Sequence, residues 1–517
     1  APPSGPPSAP GAGLIGAMAA MDISINGDPL PPGIAASLTS ASVCQALNAP
    51  AMALLGFADT NADAIAGLHL GSGLIVTAPD GACLIDAEVT AIEERIKPDG
   101  VRTLVVRGYD RLHRLRKRQR VRAKTSVNLA DLLDEAAQDI GASVAVGQAA
   151  FPVYSTLIQH DQSDFELLVE IAGACGCFLQ LDDGTLRAFT LGGEGGDAIP
   201  LAIGDKLLEA KVELNAETMR RSTLARGWNI GSTLAVEKQV SVAAQDAVEM
   251  RGGDALEHFE GLGERLLVNR LSQDEDEAGA IAQADMDRAT ALVATLTGIA
   301  EGDAALRPGR AVQIEGVSDA ADGTFVLTET VHRFDAPGGY VTRISTVPPE
   351  RLRRSRSAAV TFAKVTDVED PEGLARVRGK LVAFGDVESD WMPVLIVGAG
   401  TDKGVSVLPE PDDDVLVLLP EGDPARGVVL GGLYGERNPP GERRGSSART
   451  FTMRTPGGQC LTLDSVEALV RLETSAGDVL EMTPEGTRLS VTRDLTIEAP
   501  GRALKIRAKS VDFERAT

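Results

Sequence analysis

The sequence predicts a mainly β protein with α/β insertions, and three observations carry that prediction. Aromatic residues make up only 3% of 517 while the hydrophobic share is 43%. Cores must therefore be built from Val, Leu, Ile and Ala, side chains that suit sheets and small barrels. Short apolar runs are punctuated by turn signals such as Pro79-Asp80-Gly81 and Pro98-Asp99-Gly100. Residues 461–513 repeat alternating apolar pairs between turns, the mark of stacked short strands.

In chain order, residues 1–20 are Pro-rich with no basic start, and are expected to be a flexible lead-in rather than a secretory signal. Residues 21–110 alternate short apolar runs with turns and read as β. A helix is expected over 126–141, because positions 129, 132, 133, 136, 137 and 140 share one face and Gly141 can end it. A second helix is expected over about 163–175, carrying Phe165, Leu168, Val169 and Ala172. Asp183-Gly184 between alternating strands then signals a hairpin. A third helix is expected over about 276–298, followed by strands to Val347. Residues 351–360, opening RLRRSRS, read as a linker. Residues 361–435 carry strands and turns dense enough for a small barrel, and 436–450 read as a second linker.

The tail, 451–517, is the most informative part. Its pairs are Leu461/Leu463, Val470/Leu472, Leu480/Met482, Leu489/Val491, Leu495/Ile497, Leu504/Ile506 and Val511/Phe513. Between the members stand Thr462, Arg471, Glu481, Ser490, Thr496, Lys505 and Asp512, so each unit is a short strand with one apolar face. A lone ribbon of such strands has two unpaired edges and a face with no cover. Wrapping several copies about one axis closes both, and an intertwined three-sided β-prism is the simplest solution. A meandering sheet at the end of a monomer is the other reading.

Charge and composition exclude several functions. The net charge of −24 repels phosphate backbones. The basic run Arg107–Lys124, nine Lys and Arg, lacks interleaved aromatics beyond Tyr109 and is expected to meet an acidic neighbouring domain or subunit. Five Cys make no disulfide framework, and Cys175 and Cys177 are too closely spaced for redox or zinc chemistry. No stretch of about 18 apolar residues spans a membrane. Val394–Gly404 imitates a dinucleotide loop, but no helix follows it to meet a pyrophosphate. Gly192–Gly196 lacks the Lys-Ser/Thr of a phosphate cradle. His69, His113, His160, His258 and His332 are scattered. The sequence assigns no catalytic, cofactor-binding or metal-binding residue.

Three groups of motifs carry a family resemblance. Val365–Arg378 (VTDVEDPEGLARVR), Trp391, Val397–Gly400, Pro409 and Gly422–Tyr434 (GDPARGVVLGGLY) resemble the OB-fold of VgrG-type and phage-baseplate spikes. Gly108–Leu115 (GYDRLHRL), Ser126–Asp131 (SVNLAD), Ser163–Leu168 (SDFELL) and Asp183-Gly184 resemble the tube-capping hub of the same proteins. Arg454–Asp464 (RTPGGQCLTLD) resembles the start of their needle. The resemblance implies a hub at 21–350, of two similar β-barrels with helical insertions at about 116–190 and 276–298. An OB-fold at 361–435 and an intertwined trimeric β-helical needle at 451–517 would follow.

The function implied is that of a non-enzymatic spike: a homotrimer that caps a hexameric inner tube, contacts other baseplate proteins and punctures a target membrane. A PAAR-type tip protein would sit on Phe513, Glu514, Arg515, Ala516 and Thr517. Assembly would occur in the bacterial cytoplasm as part of a phage tail-like particle, without cofactor or nucleic acid. The start of the needle resembles the extracellular injection type more than type VI secretion or phage spikes. One departure is the turn Glu410–Asp414 (EPDDD), where the family places Gly; Asp tolerates left-handed backbone, so the turn is expected to survive. Rival readings are a cell-wall hydrolase and an OB-type nucleic-acid binder. The first needs clustered titratable groups. The second needs aromatics on the barrel, where only Phe362, Phe384, Trp391 and Tyr434 occur.

Overall fold

The computed structural model describes residues 21–147, 151–241, 263–335, 339–350, 357–401, 403–435 and 449–514. The lead-in 1–20, residues 351–356 of the first linker, 436–448 of the second, and Arg515, Ala516 and Thr517 lie outside the described residues. The chain forms two units, Ala1–Leu433 and Tyr434–Thr517.

The first unit is organised on an eleven-stranded sheet whose neighbours are all antiparallel. Strict alternation builds it. In Arg102–Asp110, Leu104, Val106 and Asp110 point inward, and in Met52–Ala58 so do Ala53, Leu55 and Phe57. The sheet carries two cores. One gathers Val43, Leu55, Phe57, Leu74, Val76, Leu104 and Val106. The other gathers Leu207, Leu296, Ile314, Phe325, Leu327 and Ile344 beside a three-stranded sheet, Ile199–Ala202, Ala311–Glu315 and Gly323–Val326. They join where Glu329–Asp335 pairs with Leu38–Ala46, two segments nearly three hundred residues apart in sequence.

Helix α1, Leu129–Ile140, starts three residues after the expected Ser126. Ser126 has φ 51° and the strand Arg122–Val127 runs up to Asn128, which caps the helix in a reciprocal box with Asp131. Gly141 ends it in left-handed backbone, φ 67°. Helix α2, Asp164–Ala174, is capped in the same way by Ser163 and Glu166. The hairpin Cys177–Asp182 with Thr185–Thr190 turns on Asp183 and Gly184, both at positive φ.

Helix α3 spans Glu275–Ala291 and ends well before 298. The expected continuation is instead a strand, Ala294–Glu301. Thr295, Thr297 and Ile299 are β-branched and favour a strand. Gly298 lets the neighbouring strand approach so closely that a Cβ there would lie 2.5 Å from the Glu209 carbonyl oxygen. Helix α3 covers one face of the sheet formed by Ser222–Asn229, Leu234–Val240 and Glu264–Leu271.

Residues 359–432 form a sheet in the order Val387–Glu388, Arg376–Leu381, Ala359–Asp367, Asp414–Leu419, Val428–Gly432, with Met392–Pro393 on Arg376–Leu381. Its core includes Val365, Val377, Leu381, Met392, Val415, Val417 and Val429. In the turn that departs from the family, Asp412 takes the left-handed conformation, φ 76°, and Lys364 Nζ donates to its carbonyl oxygen at 2.8 Å.

The second unit is a meander of five antiparallel strands: Thr450–Arg454, Cys460–Asp464, Leu469–Glu473, Val479–Thr483 and Gly486–Ser490. The expected strand units at Leu495/Ile497, Leu504/Ile506 and Val511/Phe513 are not strands within one chain. A strand is defined by a hydrogen-bonded neighbour, and past Ser490 the described residues of this chain provide none.

Candidate functional site: an uncovered apolar face on the C-terminal sheet

The register of the meander arranges the apolar pairs in two rows. Met453, Leu461, Leu472, Leu480 and Leu489 are successive cross-strand partners. So are Phe451, Leu463, Val470 and Met482. Both rows lie on one face, since members of a pair are two residues apart. The opposite face is polar: Thr462, Arg471, Glu481 and Arg488 are cross-strand neighbours. Arg471 donates to Glu481 at 2.8 Å and to Glu473 at 3.0 Å.

The apolar face is bare. Leu461 and Leu480 are half-buried, while Leu463, Val470, Leu472, Met482, Leu489 and Val491 are exposed. Beyond the meander Leu495, Ile497, Leu504, Ile506 and Val511 are exposed too, and Phe513 is 94% exposed with Glu514 beside it. Among the described residues of this unit only Cys460 is buried. Phe451 and Met453 belong to the rows but were not in the expected set. The alternation of Thr450–Arg454 is the signal that could have found them.

Within this chain, Arg114, Arg118, Arg120, Arg122 and Lys124 of the basic run have acidic partners, most of them in the helical insertion. Arg118 and Arg120 pair with Asp139 at 2.5 and 2.9 Å, and Arg120 with the buried Asp164 at 3.0 Å. Arg122 and Lys124 bind Glu135, while Arg114 binds Glu88. These cations hold the carboxyls of Glu135 and Asp139 below their ordinary range against the opposing effect of burial.

Burial dominates three further titratable groups. Burial pushes the Cys175 and Cys177 thiols up to about 12, where they are neutral and inert. His332 is buried in the large sheet, its Nδ1 3.1 Å from both Tyr340 Oη and Thr342 Oγ1, and burial pulls it down to about 4. Val397–Gly400 and Lys403–Val405 form an exposed hairpin, so the dinucleotide-like loop leads into a strand. Among the described residues no cluster of His, Cys, Asp and Glu is placed to hold a metal ion. No helix among them is long and apolar enough to cross a membrane.

A β hub with helical insertions, an OB-type barrel and a C-terminal sheet with a bare apolar face define the fold class of injector hub-and-spike proteins. Residues 361–434 match the family described as the type VI secretion system/phage-baseplate injector OB domain. A second family, the Alg8 N-terminal domain, matches residues 87–335. No curated protein matches the chain.

Among solved structures, the E. coli c3393 protein is a type VI secretion component described as similar to the T4 bacteriophage tail proteins gp27 and gp5. It aligns with a TM-score of 0.52 at 12% identity, over 80% of this chain and 99% of that one. The lidless PdpA–VgrG complex aligns with a TM-score of 0.54 at 8% identity, over 91% and 97%. The half-lidded Francisella complex aligns with a TM-score of 0.54 at 9% identity, over 92% and 89%. The chain therefore has the fold of VgrG-type and phage-baseplate hub-and-spike proteins.

Proposed function

We propose that this protein is the structural hub and spike of a contractile injection system, working as a homotrimer. The observation that carries the proposal is the bare apolar face of the C-terminal sheet. Fourteen side chains, from Leu461 to Phe513, stand ready for burial in a core that one chain does not make. In this reading three meanders turn their rows toward a common axis over 451–490. Residues 491–514 then pair with the other two chains, forming the intertwined needle. The charged outer ladder through Arg471 and Glu481 faces solvent.

The hub, 21–350, spreads load over a hexameric tube, its two β cores per chain giving six from three chains. In chain order the OB-fold, 361–435, follows the hub and precedes the needle, with 351–360 and 436–450 as linkers. Phe513 to Thr517 receive a PAAR-type tip protein, and other baseplate proteins surround the hub. Assembly takes place in the bacterial cytoplasm, and contraction drives the needle through the target membrane. The role is mechanical and calls for no catalysis. The segment Arg454–Asp464 favours the extracellular injection type over type VI secretion and phage spikes.

Light scattering of the full chain over a hundredfold concentration range tests the oligomer. A mass three times that of the 54.0 kDa chain is expected. A single subunit with a protease-resistant tail at every concentration would overturn the proposal.

A further inference from the structure

The sequence motif GDPARG at 422–427 places Arg426 on the barrel, yet its main partner is not in the barrel. Arg426 Nη2 donates to Glu277 Oε1 at 2.6 Å, and Glu277 belongs to the first turn of helix α3 in the hub. The other Glu277 oxygen accepts from the Gln273 amide at 2.7 Å. Within the barrel Arg426 has a longer contact with Asp423, 3.4 Å. The Glu277 and Arg426 side chains are 8% and 18% exposed, so the pair is largely withdrawn from water. Tyr154, also buried, lies beside them.

Other contacts surround the pair. Ile158, on the hub strand Tyr154–Gln159, is buried in the core of the OB-fold. His160 meets the edge of Phe384 at 5.2 Å between ring centroids. Ser155 Oγ donates to Asp390 Oδ2 at 3.0 Å, and Glu421 Oε1 accepts from the Leu271 amide at 3.2 Å. An apolar plug ringed by directed polar contacts fixes orientation as well as proximity.

We infer that Arg426 and Glu277 are an intrachain latch that locks the OB-fold onto the helical insertion of the hub, making the two a single rigid body. The latch stands on geometry alone. Its meaning as a load path from tube to needle rests on the function proposed above. A buried pair behaves asymmetrically. Losing one partner strands the other charge in a dry joint, whereas replacing both with apolar side chains of similar size is tolerated.

Hydrogen exchange of the full chain reads this directly. With Arg426→Met, amides of 415–432 and 154–160 are expected to exchange roughly a hundredfold faster, while those of 41–57 keep their protection. Glu277→Met should behave alike, and the double variant should return to within about threefold of the wild type. Unchanged exchange in the single variants overturns the latch. So does a double variant no better than the singles, or equal loss of protection at 41–57. Light scattering on the same samples separates the two ideas: a monomer with intact coupling sinks the spike and leaves the latch.

Discussion

At the scale of single residues, buried ionisable groups give the hub a definite pH response. His332 is held neutral, at about 4 against about 6.5 in an unfolded chain. A base with a depressed folded value stabilises the fold fully above its unfolded value and loses that contribution as pH falls from about 6.5 to 4. The loss is at most about 1.4 kcal/mol per pH unit. Asp110 has the opposite sign. Burial pushes it up to about 7, although the Ala51 and Leu112 amides both donate to it, so its contribution is lost as pH rises from about 4 to 7. His332→Gln should therefore unfold with a midpoint that varies less between pH 6.5 and 4.5 than the wild type does, measured by thermal melts.

A second residue prediction concerns Asp412. With φ at 76° it holds a conformation costly for most side chains, so Asp412→Ala should cost about 1 kcal/mol while Asp412→Gly should be neutral or stabilising. Urea titration of both variants decides this. The survival of that turn was legible in the sequence because Asp is among the few residues that enter left-handed backbone. The latch was not legible: Glu277 and Arg426 are 149 residues apart, and no local pattern links an N-terminal helix Glu to a distant loop Arg.

At the scale of elements, local chemistry was readable and tertiary preference was not. Helices α1 and α2 followed from their apolar faces, and the hairpin at Asp183-Gly184 from its turn dipeptide, whereas the Asn128 cap that starts α1 was not singled out. Asn128→Ala should accordingly destabilise the insertion by about 1 kcal/mol, since it removes the acceptor for the Asp131 amide. Hydrogen exchange in 129–140 would show the loss, with the sheet at 41–57 unaffected. The end of helix α3 was misjudged because AlaThrLeuThr at 294–297 continues an Ala-rich run without a Pro or Asn to stop it. Its strand character is settled by pairing with Leu207–Leu214 on one side and Gly339–Ser345 on the other. The basic run, expected to meet an acidic neighbouring domain or subunit, also has acidic partners inside its own chain that the sequence pattern did not single out. Glu135 and Asp139 occupy the exposed face of a helix whose apolar face alone had been considered.

At the scale of the whole molecule, the apolar repeat shows what one chain's sequence can and cannot specify. Period-two alternation announced strands with one apolar face, and through Ser490 the chain pairs those strands with one another. Past that point the same alternation persists while in-chain pairing stops, because alternation encodes a face and leaves the neighbour unspecified. If three copies supply the neighbours, Leu495 and Ile497 become six buried side chains, worth about 1.5–3 kcal/mol each. Leu495→Asp with Ile497→Asp would then place six carboxylates in a narrow dry axis, at a heavy desolvation cost. The expected outcome is a tail that proteases remove from about 491 onward, with residues 41–433 still folded and the mass falling toward one subunit at micromolar concentration. Limited proteolysis with mass detection measures both effects, and a tail as resistant as the wild type's would mean that these residues never faced a shared core.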